Sequence, residues 1–257
     1  MWTKWHFYTI IPTFIVLIGL AILVAYLLRN KSEKVRVLPF QIMAVALLAF
    51  EIAKQIYNID DDGYNLYALP FHYCSLFLYI YPLHAFYKGK HKQTVDTLAF
   101  SCGAALFFFM LVMPAVVYSD GNIQNYFKTF DSFHTVTFHS NVCFYFFLMV
   151  AMRMYKMDTV RDLKVIAVTF GGFVLLGTAM SYAFNTNFQN LLHCNLAPAE
   201  EVRVALVESI GWFGQALYIL VLFVLTIVFT QIAYFAVGGL LRLIELLFRK
   251  KKGAKKA

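Results

Sequence analysis

Apolar residues run along this chain in long unbroken stretches separated by short polar segments, and that pattern decides the fold class. Runs at 7–28, 37–57, 66–87, 95–118, 135–152, 164–184 and 212–237 each come close to the roughly 20 residues an α-helix needs to cross a hydrocarbon core of about 30 Å. A transmembrane barrel would show short segments of alternating character instead. The pattern predicts an all-α, polytopic transmembrane bundle of about seven helices. No Gly/Ser linker, low-complexity tract or internal repeat divides it, so 1–257 reads as a single membrane domain. The stretch 200–210 keeps helical periodicity through Val202, Leu206 and Ile210, and either lies at the interface or extends the seventh span.

Composition agrees. Hydrophobic residues make up 61% and charged residues 14% of the chain, and mean hydropathy is +0.66, too little polarity to cover a water-soluble globule. Charge then supplies orientation. Arg29, Lys31, Lys34 and Arg36 follow the first run, Lys88, Lys90 and Lys92 the third, Arg153, Lys156, Arg161 and Lys164 the fifth, and a further set from Arg242 to Lys256 the seventh. The opposite connections hold only Lys4, Lys128 and Arg203. Basic residues stay on the cytoplasmic side, so the N-terminus is expected outside and the C-terminus in the cytoplasm. The net charge of +8 sits at membrane edges without a basic fold module, which argues against a nucleic-acid partner. The tail 249–256 reads either as a topology anchor or as a segment attracted to anionic lipid, at about 1 kcal/mol per cation. The first run is too long for a removable signal peptide and lacks a small-residue cleavage site. The four cysteines lack CxxC or Cys/His metal spacing, and neither metal nor cofactor is expected.

Polar residues inside the runs are the informative feature, because such groups usually face a bundle interior or a wet cavity. The second run carries Glu51 and Lys54, three apart on one helix face. The third carries His72, Cys74 and Ser75 close to Pro70, which suits the first turn of a helix. The positive end of the helix dipole there favours anions. The fifth carries His139, Ser140 and Asn141, and the sixth exits past Ser181 and Tyr182 into Asn185, Asn187 and Asn190. Counted from the expected outer surface, all fall in the outer half. Each has a plainer role open to it: a neutralised ion pair for Glu51 and Lys54, an interhelical hydrogen bond for either histidine, a packing position for Cys74 or a disulfide with Cys194. On a regular helix His72 and Cys74 point about 200° apart. Either the chain around Pro70 departs from helix, or one residue alone does chemistry.

Residues 69–76, LPFHYCSL, continued by FLYIYP to Pro82, resemble the YwaF family of bacterial integral membrane proteins. The likeness extends to EIAKQIY at 51–57, FHS at 138–140, NTNF at 185–188 and Pro198. That family is distantly similar to the animal transmembrane protein 164 acyltransferases, thought to move fatty acyl chains between lipids. The resemblance implies a seven-helix fold in a bacterial plasma membrane and puts Cys74 at the nucleophile position. On that basis Cys74 is expected to attack a lipid ester, His139 or His72 to act as base, and Asn187, Lys54 or backbone amides beside Ser75 to bind the oxyanion, with Glu51 as orienter. In a variant of this scheme His72 activates the acceptor directly. Membrane lipids are the expected partners; protein partners are not readable. The alternative is a transporter or lipid-binding protein using the Glu/Lys/His cluster as a substrate or proton site.

Overall fold

The computed structural model describes residues 2–60, 63–155 and 157–254. Asp61, Asp62, Lys156, Lys255 and Lys256 lie outside them, as do the side chains of the basic tail from Arg249 onward. Among the described residues the chain is all-α apart from one small hairpin. Helices α1 (Lys4–Leu28) and α2 (Glu33–Tyr57) are followed by strands β1 (Ile59–Asp60) and β2 (Gly63–Tyr64), paired antiparallel. Then come α3 (Leu76–Phe86), α4 (Lys92–Val112), the short α5 (Pro114–Val117) and α6 (Asp120–Gln124), α7 (Phe130–Ala151), α8 (Thr159–Phe184), α9 (Ala197–Ile210) and α10 (Trp212–Ala254).

Five helices among the described residues are long and apolar enough to cross a membrane: Lys4–Leu28, Glu33–Tyr57, Lys92–Val112, Val160–Phe184 and Trp212–Ile244. The two remaining expected spans fall short for different reasons. The run 66–87 is not one helix: a 3-10 turn at Leu66–Ala68, an irregular stretch and a second 3-10 turn at Tyr73–Ser75 precede α3, whose 11 residues rise only about 16 Å. At 22 residues α7 is long enough, about 33 Å, but it is too polar, with His134, Ser140 and Asn141 along it.

That polarity follows from position. Helix α7 packs against α1, α2, α4 and α6, so protein rather than lipid surrounds it. Val142, Cys143 and Tyr145 through Met149 are all buried. Tyr145 stacks on Tyr81 at 3.8 Å between ring centroids, and its hydroxyl donates to the Tyr81 carbonyl at 3.1 Å. Phe107 packs on Phe146 and Phe147, and Phe108 and Phe109 on Phe229, so the aromatic stripes are largely helix-packing surface. Helix α4 is the other hub, touching α3, α7, α8 and α10.

Local chemistry moved several boundaries from those expected. Thr129 accepts from the Ser132 N–H and starts α7 five residues early, bringing His134 into the helix. The run 95–118 breaks at Met113, because the residue before a proline is pushed out of the α region, here by Pro114. A left-handed Asn185 (φ 48°) ends α8. Gly211, at φ 61° and ψ −136°, makes the elbow between α9 and α10, so 197–210 is a separate helix rather than a continuation of the last span.

At the end of the bundle with the 29–32 and 152–158 connections, Asp162 ties three helices together. Its carboxylate accepts from Thr97 of α4 at 2.9 Å, Tyr234 of α10, Arg161 at 2.6 Å and the Asp158 N–H at 2.7 Å. Each oxygen of this buried charge is therefore satisfied, the condition for tolerating it.

Candidate functional site

Of the polar residues singled out in the sequence, Glu51, Lys54, His72, Cys74 and His139 lie at the opposite end, where α2 finishes, α7 begins and the chain approaches α3. Helix α2 supplies Glu51, 8% exposed, whose carboxylate lies 2.8 Å from the Lys54 ammonium. Gln55, one turn on, donates to Glu51 and, at 2.9 Å, to the Ala68 carbonyl, and accepts from the Tyr64 hydroxyl. The ion pair is thereby stitched to the hairpin and to the turn at 66–68.

Pro70 shapes the next segment. It forces Leu69 into extended backbone (ψ 146°), and His72 is extended as well (φ −80°, ψ 158°). The expectation that Pro70 opens the helix is corrected: α3 starts at Leu76, and Cys74 lies in the single 3-10 turn before it. With the helix interrupted, the 200° divergence of His72 and Cys74 does not apply. Both lie close enough to Lys54 and Glu51 for those charges to act on them. Cys74 is half-buried beside the buried Ser75, and it is a free thiol, as is Cys194.

Three contacts hold the extended segment. Gln189 donates to the Phe71 carbonyl at 2.8 Å, the Tyr79 hydroxyl donates to the Pro70 carbonyl at 3.2 Å, and His72 Nε2 bonds the Tyr67 carbonyl at 2.9 Å. A carbonyl oxygen only accepts, so His72 carries its proton on Nε2 and, when neutral, a lone pair on Nδ1. Its ring lies 4.4 Å from that of Tyr67 and 5.4 Å from that of Phe188.

Helix α7 adds two histidines. His139 Nδ1 donates to the Thr135 carbonyl at 2.7 Å, which leaves the lone pair of the neutral ring on Nε2. His134, absent from the expected set, is buried, stacks on Phe138, and has an Nε2 without a hydrogen-bond partner. The Lys54 charge acts on both rings. The Lys54 ammonium thus acts on His72, Cys74, His134 and His139, and the Glu51 carboxylate on the first two.

Asn187 is placed elsewhere. Its Oδ1 accepts from the N–H groups of Leu192 (2.9 Å) and His193 (3.2 Å), and its Nδ2 donates to the His193 carbonyl, so the side chain organises the loop after α8. Ser181 does the same for Phe188, whose N–H it accepts at 3.2 Å, while Asn141 donates to the Met43 carbonyl between α7 and α2. Three residues of that loop, Asn185, Gln189 and Asn190, sit at positive φ, a clustering of backbone strain typical of functional loops. Gly177 makes the loop possible: a Cβ there would stand 2.3 Å from Gln189 Nε2.

Gln55 and Tyr67 lie inside the second and third apolar runs and were passed over there as ordinary polar positions, while His134 flanks the fifth run and Gln189 lies in a loop. Only His134 had a cue, the Thr129-x-x-Ser132 cap. Among the described residues no group of three His, Cys, Asp or Glu side chains has metal-holding geometry. No curated protein and no solved structure matches the chain. The TMEM164 family model matches residues 1–234, nearly the whole length, and the chain, a multi-pass helical membrane protein, belongs to that family.

Proposed function

We propose that this chain is an intramembrane acyltransferase or transacylase acting on membrane lipids. The carrying observation is that α2, the 69–75 segment and α7 bring a thiol and three imidazoles within electrostatic reach of one group, the Lys54 ammonium, which is paired with Glu51. The resemblance of 69–82 to the YwaF family, itself distantly similar to the animal acyltransferases, supports the same chemistry, and membership of the TMEM164 family is compatible with it.

Acyl transfer needs a nucleophile, a base and donors for the oxyanion. Cys74 is the nucleophile. Backbone N–H groups at the start of α3 and the Lys54 charge stand near the sulfur, where negative charge develops. His139 takes the thiol proton on Nε2. The sulfur bonds to the ester carbon of a donor lipid, the ester C–O bond breaks, and the departing lyso-lipid oxygen takes that proton. An acceptor hydroxyl then gives its proton to His139 or His72, its oxygen attacks the thioester carbon, and Cys74 leaves as thiolate. Lys54 and the amides near Ser75 stabilise each tetrahedral oxyanion, and Glu51 fixes Lys54. In the membrane, α7 and the 66–86 segment complete seven crossings, with the N-terminus outside, the C-terminus inside and the site in the outer half.

The test is lipid remodelling by the purified protein in liposomes, followed by mass spectrometry. Cys74→Ala is expected to abolish turnover, and His139→Ala to lower it by about 10²- to 10⁴-fold, the usual contribution of a positioned base. Full turnover in Cys74→Ala would remove the covalent scheme and leave direct activation by His72, which His72→Ala then tests.

The interruption of the membrane segment at 69–75 favours a second reading, since transporters build sites from broken helices beside buried charges. Solute flux in proteoliposomes without covalent change to lipid would establish it in place of the first.

A further inference from the structure

Between the hairpin and the loop that follows α8 lies an open cleft of about 630 Å³. Tyr64 and Tyr67 stand on one side; Asn185, Thr186, His193 and Asn195 on the other. Among the described residues that line it, none is Asp, Glu, Lys or Arg. Much of the polar chemistry around it is spent internally. Asn65 caps the 66–68 turn, Asn187 braces the loop and Tyr64 bonds Gln55. The side chains of Asn185, Asn195 and His193 and the Tyr67 hydroxyl make no hydrogen bond within the described chain. A concave surface with a few unspent polar groups converging on it is the usual form of a small-molecule site.

The lining also selects. A phosphate or ammonium group taken from water loses heavily unless a countercharge meets it. Two basic groups of adjoining elements are already engaged, Lys54 by Glu51 at 2.8 Å and Arg203 by Glu200 at 2.6 Å and Gln215 at 2.9 Å. Neutral hydroxyls, by contrast, both donate and accept, matching amides that do the same and a phenol that can turn either way. Tyrosine faces supply apolar area for the C–H side of a sugar or polyol.

Position gives the cleft a purpose. Tyr67 lines it and also touches the reactive cluster, its ring 4.4 Å from that of His72 and its carbonyl bonded to His72 Nε2. A lipid whose headgroup filled the cleft would bring its ester linkages down past Tyr67 toward His72 and Cys74. We infer that this cleft is a headgroup subsite for an uncharged polyhydroxylated lipid, with a glycosyl or glycerol headgroup held by Asn185, Asn195, His193 and Tyr67. This names a substrate class for the acyl-transfer reading and rests on it.

The experiment uses the full chain in phosphatidylcholine nanodiscs doped with diglucosyl-diacylglycerol or with phosphatidylglycerol, or supplied with a free glucose disaccharide, and reads the bound molecule by native mass spectrometry. Retention of the glycosyl lipid over both others is expected. Asn195→Ala and Tyr67→Phe should each weaken it by about three- to tenfold, the loss of one hydrogen bond, and Cys74→Ala should bind as the wild type does. Phosphatidylglycerol held as well or better, retention unmoved in both cleft variants, or the free sugar held in place of the lipid would overturn the inference. Glycosyl lipid retained without acyl transfer by the wild type would instead overturn the enzymatic reading and leave the cleft. Acyl transfer without glycosyl-lipid retention would do the reverse.

Discussion

The histidines and the cysteine are conspicuous in the sequence, yet the residues that aim them are mostly unremarkable ones. Gln189 lies in a polar loop at φ 54° and reaches back to the carbonyls of Phe71 (2.8 Å) and Phe173 (3.3 Å), pinning the residue before His72. Nothing in a glutamine's own neighbourhood announces a contact to a segment more than a hundred residues away. Gln189→Ala takes from the Phe71 carbonyl its side-chain donor and should cost about 1–3 kcal/mol, read as a lower unfolding temperature in detergent, with turnover reduced as His72 loosens. Gly177→Ala puts a methyl where the Gln189 amide lies and should cost a similar amount, about 1–3 kcal/mol for overpacking. The two act through one contact, so the double variant should fall short of the sum. Full additivity would mean that Gly177 acts elsewhere.

At the scale of elements, polar groups can sit either in lipid-spanning helices or in the breaks between them, and the outcome differed along the chain. Glu51 and Lys54 pair on one helix face as their spacing requires. The 69–75 segment leaves helix because Pro70 restricts its predecessor and because Tyr79, Gln189 and Tyr67 satisfy the freed backbone and ring groups. Helix α9 is held by charge. Glu200 accepts from the Arg203 guanidinium and from the Cys194 N–H, and the Arg203 hydrogen bonds hold its carboxyl down to about 2. A depressed folded value means that this contribution is complete above the ordinary glutamate range and fades as pH falls from about 4.5 toward 2. Glu200→Gln should reproduce the low-pH state at neutral pH, seen as faster amide exchange across 193–203. Unchanged exchange would show the pair to be idle, as many exposed ion pairs are. At the other end, Asp162→Ala strands Arg161, Thr97 and Tyr234 together and should cost about 3–5 kcal/mol, measured by thermal unfolding.

For the whole molecule, the proposed orientation makes a direct prediction. With the native cysteines replaced, Asn122→Cys should react with an impermeant thiol reagent from outside intact cells, and Lys31→Cys should react only after the membrane is opened. The reverse pattern would turn the bundle over and move the site to the cytoplasmic half.

The chain's own order of residues determined that it is helical and lives in lipid, because a continuous apolar length is a local property that water cannot cover and a helix satisfies internally. It also determined which polar groups would be costly enough in that setting to require partners. Which helices become neighbours, and hence that α2, α7 and a broken 69–75 segment place titratable groups within electrostatic reach of one ammonium, was decided only in three dimensions. Apolar periodicity records that a face is buried, not against what. A helix as polar as α7 is stable there because α1, α2 and α4 shield it from lipid, and no window of sequence contains that shield.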